Sequence, residues 1–115
     1  MNEIVYISGK ISGMDKTEYV ARFRKAEELL RLQGYHRIVN PVKFTVCRWK
    51  WLYKIIGYKL TLCYDLYRLM KCDRIYKIPG WKDSRGASVE SYVAHVMRVR
   101  CIPNEIRDKI DNEMN

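Results

Sequence analysis

The sequence predicts a three-layer α/β fold, in which a parallel sheet of about four strands lies between flanking helices. Three observations predict it. Short runs rich in Ile, Val and Tyr alternate with longer segments of helical periodicity. The first strand, helix and second strand follow one another in the order of a right-handed parallel crossover. A glycine-containing loop after the third strand leads into another helix, as at the ligand-binding edge of open α/β sheets.

The first strand, residues 3–8, has the apolar composition typical of a buried parallel strand. Ser8-Gly9-Lys10-Ile11-Ser12-Gly13 follows at once, and its glycines allow backbone N–H groups to approach a ligand closely. The spacing lacks the third glycine of the dinucleotide-binding fingerprint. Taken alone, the loop is equally consistent with a simple turn.

Residues 17–33 form the clearest predicted helix, because apolar side chains recur there at three- and four-residue steps. We assign this stripe to the core. The opposite face carries three charged residues, Arg22, Lys25 and Glu28. Gly34 predicts the end of the helix, and residues 36–39 predict the second strand.

The second half of the chain predicts a helix at 58–71, a strand at 74–78, a helix that continues to Val96 and a last strand at 98–102. The polar tail, residues 104–115, is expected to be a short helix or a frayed end. Together the elements predict one Rossmann- or flavodoxin-like domain over residues 1–115.

Residues 44–57 interleave Trp, Tyr and Ile with Arg and Lys. Three functional interpretations compete: stacking of nucleic-acid bases with phosphates on the basic side chains, a membrane-interface segment, and a subunit contact or lid. The structural alternative is an amphipathic helix whose aromatic side chains lie in the core.

The composition restricts the function classes. No run approaches the roughly 20 apolar residues that span a bilayer, and the first residues lack the pattern of a signal peptide. We therefore expect a cytoplasmic protein. The four cysteines and two histidines show no ligand spacing, so we expect reduced thiols, no metal and no cofactor.

The net charge of +9 is unevenly distributed. No Asp or Glu occurs between Leu29 and Tyr64, while Arg and Lys continue throughout that stretch. A field of this sign attracts phosphates, whether they belong to a nucleotide, a nucleic acid or an anionic membrane.

The segment from Cys72 to Glu90 reads as a strand, a polar loop and the start of a helix. Ser84 is placed to meet a polar or anionic group. Glu90 is the strongest candidate for a catalytic residue, although a carboxylate in the first turns of such a helix is also common without any catalytic role.

Four motifs in this chain together resemble the nucleoside 2-deoxyribosyltransferase-like superfamily. The first-strand motif is Tyr6-Ile7-Ser8-Gly9-Lys10-Ile11-Ser12-Gly13. The helix motif consists of Phe23, Ala26, Glu27, Leu30 and Gly34, followed by Asn40-Pro41. The third motif consists of Asp65, Leu66, Leu69, Cys72 and Asp73. The fourth consists of Pro79, Gly80, Trp81, Ser84, Gly86, Ala87 and Glu90. Within the superfamily the chain looks closest to a bacterial and phage family of unknown function.

The resemblance implies an enzyme that cleaves the N-glycosidic bond of deoxynucleosides or their 5′-monophosphates. It implies Glu90 as the nucleophile that attacks the anomeric carbon, and Asp65 as the acid that protonates the leaving base. A carboxylate can trap an oxocarbenium-like carbon, and an acid neutralises the departing nitrogen.

The resemblance also implies the substrate-binding residues. Tyr6 and the Ser8-Gly9 backbone are expected to line the pocket, and the Ser84-Arg85-Gly86 segment is expected to meet a 5′-phosphate. Transferases that act on free nucleosides tend to carry Asp where this chain has Ser84, so a neutral hydroxyl suits an anionic substrate. Relatives complete their sites with a neighbouring subunit, which implies a homo-oligomer.

Two alternatives to an enzyme stay open. The chain could be a binding module or sensor that keeps the nucleotide pocket without turnover. It could also bind nucleic acid through residues 44–57, in which case its affinity would fall steeply with salt.

Overall fold

The four predicted strands form one sheet in a computed structural model of the chain, which describes residues 3–10, 14–41 and 66–114. The strand order is β2-β1-β3-β4, and each neighbouring pair is parallel. The strands are β1 (Ile4–Ser8), β2 (Arg37–Val39), β3 (Arg74–Lys77) and β4 (Arg100–Cys101). The predicted α/β fold with a parallel sheet of about four strands is therefore confirmed.

Helices cover both faces of this sheet. The long helices are α1 (Lys16–Leu32), α2 (Arg85–Val96) and α3 (Asn104–Met114). Residues 66–70 are also helical, and a short 3₁₀ helix (Trp81–Asp83) lies between β3 and α2. Helix α1 agrees with its prediction to within one residue. The 3₁₀ helix was not predicted, because three residues are too few to show a period.

Alternate side chains of β1 point to opposite faces of the sheet, as the two-residue period of a strand requires. Val5 and Ile7 pack in one buried cluster with α1 and α3. Tyr6 packs in a second buried cluster with Leu69 of the 66–70 segment and with Ala94 of α2. The sheet thus lies between two apolar layers, and Ser8 is on the same face as Tyr6.

The C-terminal tail belongs to the core as helix α3. Ile110 is almost fully buried in the cluster that contains α1. Tyr76 of β3 donates a hydrogen bond from its hydroxyl to Asp111 Oδ1 at 2.6 Å. Burial, followed by this hydrogen bond to a carboxylate, raises the pKa of the Tyr76 hydroxyl. The expectation of a short helix is confirmed at this end of the chain.

The last strand is shorter than the predicted 98–102 segment. Arg98 has a φ of 60°, which is incompatible with an extended strand. The N–H of Val99 donates to the carbonyl of Ala94 at 2.8 Å. These two residues terminate α2, so only Arg100 and Cys101 pair with β3.

Asp73 joins the amino ends of β1 and β3. Its backbone N–H donates to the Ile4 carbonyl at 2.9 Å, and its carboxylate Oδ2 accepts from the Ile4 N–H at 2.9 Å. Arg74 forms an ion pair with Glu3 at 2.8 Å. Asp73 of the third motif thus fixes the register of the sheet at the edge opposite Ser8.

Several predictions fall outside the described residues, namely the basic aromatic segment 44–57, the first part of the predicted 58–71 helix, and Asp65. Within the ranges that are described, no helix combines the length and apolar composition needed to cross a membrane. In the same ranges, His, Cys, Asp and Glu side chains form no group of three suited to a metal ion.

Candidate active site at the carboxyl edge of the sheet

The candidate site begins with two hydroxyl side chains at the carboxyl end of β1. Tyr6 and Ser8 are two positions apart, so both point to the sheet face that α2 covers. Both residues are fully buried. Because a buried polar group needs a hydrogen-bond partner, each hydroxyl must find one between β1 and the layer above it.

Glu90 of α2 is that shared partner. Its carboxylate accepts a hydrogen bond from the Tyr6 hydroxyl through Oε2 and another from the Ser8 hydroxyl through Oε1 at 3.0 Å. Glu90 is only 7% exposed. Hydrogen bonds to a charged group are the stronger ones, so two donors on two different oxygens set the rotation of the carboxylate. The structure therefore brings together three of the predicted site residues from positions far apart in the chain.

Ser84 begins helix α2. It is the N-cap residue, and its hydroxyl oxygen accepts a hydrogen bond from the N–H of Ala87 at 3.3 Å. Its carbonyl accepts from the N–H of Ser88 at 3.0 Å. This is the usual structural role of serine at a helix start. A hydroxyl can accept and donate at the same time, so the capping bond leaves the Ser84 proton able to meet an anion.

The two residues after Ser84 form the first positions of α2. Arg85 is exposed and Gly86 is half-buried. Backbone N–H groups at the start of a helix attract anions through the helix dipole. The predicted phosphate-binding segment Ser84-Arg85-Gly86 therefore lies at a helix N-terminus, less than two turns before Glu90 on the same helix.

Gly9 is closely packed at the end of β1. It is buried, and a Cβ atom added there would lie 3.1 Å from Ile78 Cβ and 3.2 Å from Phe23 Cζ. The residue thus lets the end of β1 pass closely between α1 and the end of β3. The Ile78 N–H also donates to the Ser8 carbonyl at 2.8 Å. Side-chain packing accounts for this glycine.

Arg22, on the charged face of α1, links this helix to the loop after β3. It is half-buried, and its Nη2 donates to the Pro79 carbonyl at 2.7 Å. It thereby holds the loop after β3 against α1. Its neighbours enclose a cavity of about 280 Å³, lined among others by Lys10, Arg22, Pro79 and Asp83. In the sequence, Arg22 stands next to the core residue Phe23. This neighbour is the feature that indicates a position at the border of the buried face.

Cys72 is a buried structural residue just before β3. Its thiol donates to the carbonyl of Arg68 at 3.3 Å. Burial raises the pKa of the Cys72 thiol to about 11, against a smaller lowering by Arg68. The thiol is therefore protonated at neutral pH and is a poor nucleophile. Among the described cysteines, Cys72 and Cys101 are both free.

The match to known families covers the fold and the site just described. Residues 3–102 match a family described as a domain of unknown function (DUF4406). No curated protein matches the chain. The matched region contains the four strands of the described residues together with Tyr6, Ser8 and Glu90, while helix α3 lies beyond it. Because the match extends over most of its length, the chain belongs to the DUF4406 family.

Proposed function

We propose that the protein is an N-glycosidase or deoxyribosyltransferase-like enzyme that acts on deoxynucleosides or their 5′-monophosphates. The observation that carries the proposal is the buried Glu90 carboxylate, oriented by hydroxyl donors from Tyr6 and Ser8. Such a carboxylate suits nucleophilic attack, because its oxygens are held in one orientation and shielded from water. The site also lies at the carboxyl edge of a parallel sheet, where open α/β folds bind ligands.

The proposed first step forms a covalent intermediate. One Glu90 oxygen bonds to the anomeric carbon of the deoxyribose as the bond from that carbon to the base nitrogen breaks. The base leaves with the electron pair of that bond and takes a proton, which we assign to Asp65 by the family resemblance. A carboxylate has about four acceptor positions, so the hydrogen bonds from Tyr6 and Ser8 leave Glu90 capacity to react.

In the second step the sugar is released from Glu90. Water attacks the anomeric carbon in a hydrolase, whereas a second base does so in a transferase. In both cases the Glu90 carboxylate is regenerated, and the attacking group loses a proton to the base formed from Asp65. Tyr6 and Ser8 then hold the returning charge by the same two hydrogen bonds.

A 5′-phosphate fits the start of α2 in this proposal. Ser84, Arg85 and Gly86 supply a hydroxyl, a cation and helix N-terminal backbone groups. They precede Glu90 on one helix, as is needed if a phosphate and a reacting sugar carbon belong to one substrate. A homo-oligomeric state and a cytoplasmic location are part of the same proposal.

The test is release of free base from a panel of deoxynucleoside 5′-monophosphates and deoxynucleosides, measured by liquid chromatography. Wild type should release base from at least one monophosphate, and Glu90→Gln should not. Intact-mass spectrometry should detect a sugar phosphate adduct on wild type only. Glu28→Gln is the matched control, because Glu28 is an exposed carboxylate on α1. Equal, slow release by wild type and Glu90→Gln would refute the enzyme proposal.

A binding module without turnover is the second candidate. The same hydrogen bonds from Tyr6 and Ser8 tie β1 to α2, and that role requires no reaction. Saturable nucleotide binding without base release would favour it. A nucleic-acid-binding function of residues 44–57 would instead appear as affinity for single strands that falls steeply with salt.

A further inference from the structure

A second cavity lies between α2 and the edge of the sheet formed by β3 and β4. Its volume is about 690 Å³, within the range of roughly 300–1,000 Å³ typical of small-molecule sites. Its wall combines cationic and aromatic side chains, including Lys77, Trp81, Tyr92, His95, Arg98 and Arg100. No Asp or Glu is among the described residues that line it. Glu90 faces β1 and is not part of this wall.

Arg98 on this wall has an unusual backbone conformation. Its φ of 60° makes it the one non-glycine residue with positive φ in the described part of the chain. The left-handed region disfavours an ordinary residue by a factor of about 5 to 30 in its local conformational equilibrium, whereas glycine adopts it freely. Helix ends therefore favour glycine at this position.

Helix α1 provides an internal comparison for the end of α2. In α1, Gly34 has a φ of 99°, and the N–H groups of Gly34 and Tyr35 donate to the carbonyls of Arg31 and Leu30. In α2, the N–H groups of the corresponding residues, Arg98 and Val99, donate to the carbonyls of His95 and Ala94. The two helices share one hydrogen-bond pattern, but α2 has arginine where α1 has glycine.

The arginine at this position is a cationic residue of the cavity lining that occupies a costly backbone conformation. Strained residues of this kind are concentrated at ligand-binding sites, because the side chain has a use that offsets the strain. Within the described residues, the guanidinium groups of Arg98 and Arg100 have no hydrogen-bond or ion-pair partner. Two guanidinium groups that have no partner among the described residues, on a wall whose described residues include no carboxylate, favour an anionic ligand.

Lys77 and Trp81, which also line the cavity, contact each other. The ammonium group of Lys77 donates to Ser91 Oγ at 3.3 Å and lies 4.5 Å from the centroid of the Trp81 ring. Tyr92 adds an aromatic ring that is 71% exposed. Exposed rings next to cations are the features by which proteins bind a base together with its phosphate.

We propose that this cavity binds a mononucleotide, with its phosphate on Arg98 and Arg100 and its base beside Tyr92 and Trp81. The site is separate from the Glu90 site and does not depend on the activity proposed there. In this proposal Arg98 is a ligand-binding residue at a position where glycine would end the helix with less backbone strain. Binding and stability therefore change in opposite directions when Arg98 is replaced by glycine.

The experiment compares wild type with Arg98→Gly and Arg98→Ala. Inorganic phosphate, deoxyadenosine and deoxyadenosine 5′-monophosphate are titrated separately while the indole N–H resonance of Trp81, assigned with Trp81→Phe, is followed by NMR. The resonance should shift saturably with the monophosphate and with phosphate, and less with deoxyadenosine. Both Arg98 variants should weaken monophosphate binding by about tenfold or more, the usual effect of losing a charge-assisted hydrogen bond.

Unfolding measurements on the same variants separate the two roles of Arg98. Arg98→Gly should raise the folding equilibrium constant about fourfold, because relief of the left-handed strain exceeds the extra freedom of glycine in the unfolded chain. Arg98→Ala keeps the strain and should not raise it. Arg24→Ala removes an exposed charge from α1 and should leave monophosphate binding unchanged.

Three results would overturn the proposal. The first is wild-type affinity for the monophosphate in Arg98→Gly. The second is a Trp81 resonance that none of the ligands shifts, even where resonances near Glu90 respond, which would leave only the Glu90 site. The third is dimerisation through this cavity. It would appear as a solution molecular mass that rises with protein concentration for wild type and stays at the monomer value for Arg98→Gly.

Discussion

Replacement of Glu90 tests whether its carboxylate is the shared acceptor of two buried hydroxyl groups. Glu90→Ala removes the acceptor used by Tyr6 and by Ser8, both of which are fully buried. Each buried donor that loses its partner costs about 1–3 kcal/mol. We therefore expect Glu90→Ala to lower the free energy of unfolding by about 2–6 kcal/mol, and the void left by the side chain adds to this loss.

Glu90→Gln is the informative comparison, because it keeps the volume of the side chain and one oxygen acceptor. The amide nitrogen can donate to the Ser8 oxygen while the amide oxygen accepts from Tyr6. Charge-assisted hydrogen bonds are replaced by neutral ones, at a cost of about 1 kcal/mol for each bond. Because burial of a charged group is unfavourable, replacing the carboxylate by a neutral amide offsets part of that cost. We expect a total loss of at most about 2 kcal/mol.

Urea unfolding followed by circular dichroism measures both variants on one scale, since the free energy of unfolding falls linearly with urea. Glu28→Ala is the control, because Glu28 is exposed on α1 and its replacement should change stability by only about 0.5 kcal/mol. A loss below about 1 kcal/mol for Glu90→Ala, with an unchanged urea slope, would refute the reasoning. Equal losses for Ala and Gln would also contradict it.

Two further predictions concern packing and pH. Gly9→Ala should lower stability by about 1–3 kcal/mol in thermal unfolding, because the new Cβ would lie 3.1 Å from Ile78 and 3.2 Å from Phe23; unchanged stability would contradict this packing. Cys72 has its pKa raised from 9.0 to about 11, so stability should fall between pH 9 and 11 by about 2–3 kcal/mol, as the unfolded thiol ionises first. Cys72→Ala should reduce that slope, most clearly between pH 9 and 10, because above pH 10 the Tyr76 hydroxyl, whose pKa is also raised, adds its own loss. A slope identical to wild type over pH 9–10 would contradict the prediction.

Local patterns in the sequence were sufficient for the sheet and for α1. The apolar runs at 3–8 and 74–78 each occupy a central strand of the sheet, where both faces are covered. The apolar stripe of α1 extends over 17 residues, long enough for the helical period to be clear. The last strand begins at Arg100 and not at the predicted Arg98, because Arg98 and Val99 bond back to α2. A strand-like composition cannot reveal that local competition.

In the candidate site, one residue has a role that local sequence predicts, and another has a role that depends on contacts with distant residues. Ser84 was identified from its place before a helix, and the structure accounts for it as an N-cap, which is a local property. The role of Gly9 depends on Phe23 and Ile78, which are distant in the chain, so its packing constraint was not visible in the loop sequence.

The sequence by itself determined the α/β class, the strand positions and the candidate residues in the segment from Cys72 to Glu90. Only the tertiary structure decided that the Glu90 carboxylate meets Tyr6 and Ser8, which precede it by more than 80 positions. The physical reason is that a period specifies which face a side chain occupies, whereas its partner depends on which element covers that face. Parallel crossovers bring β1 beside β3 and place α2 over both, and that arrangement joins the hydroxyl groups to the carboxylate.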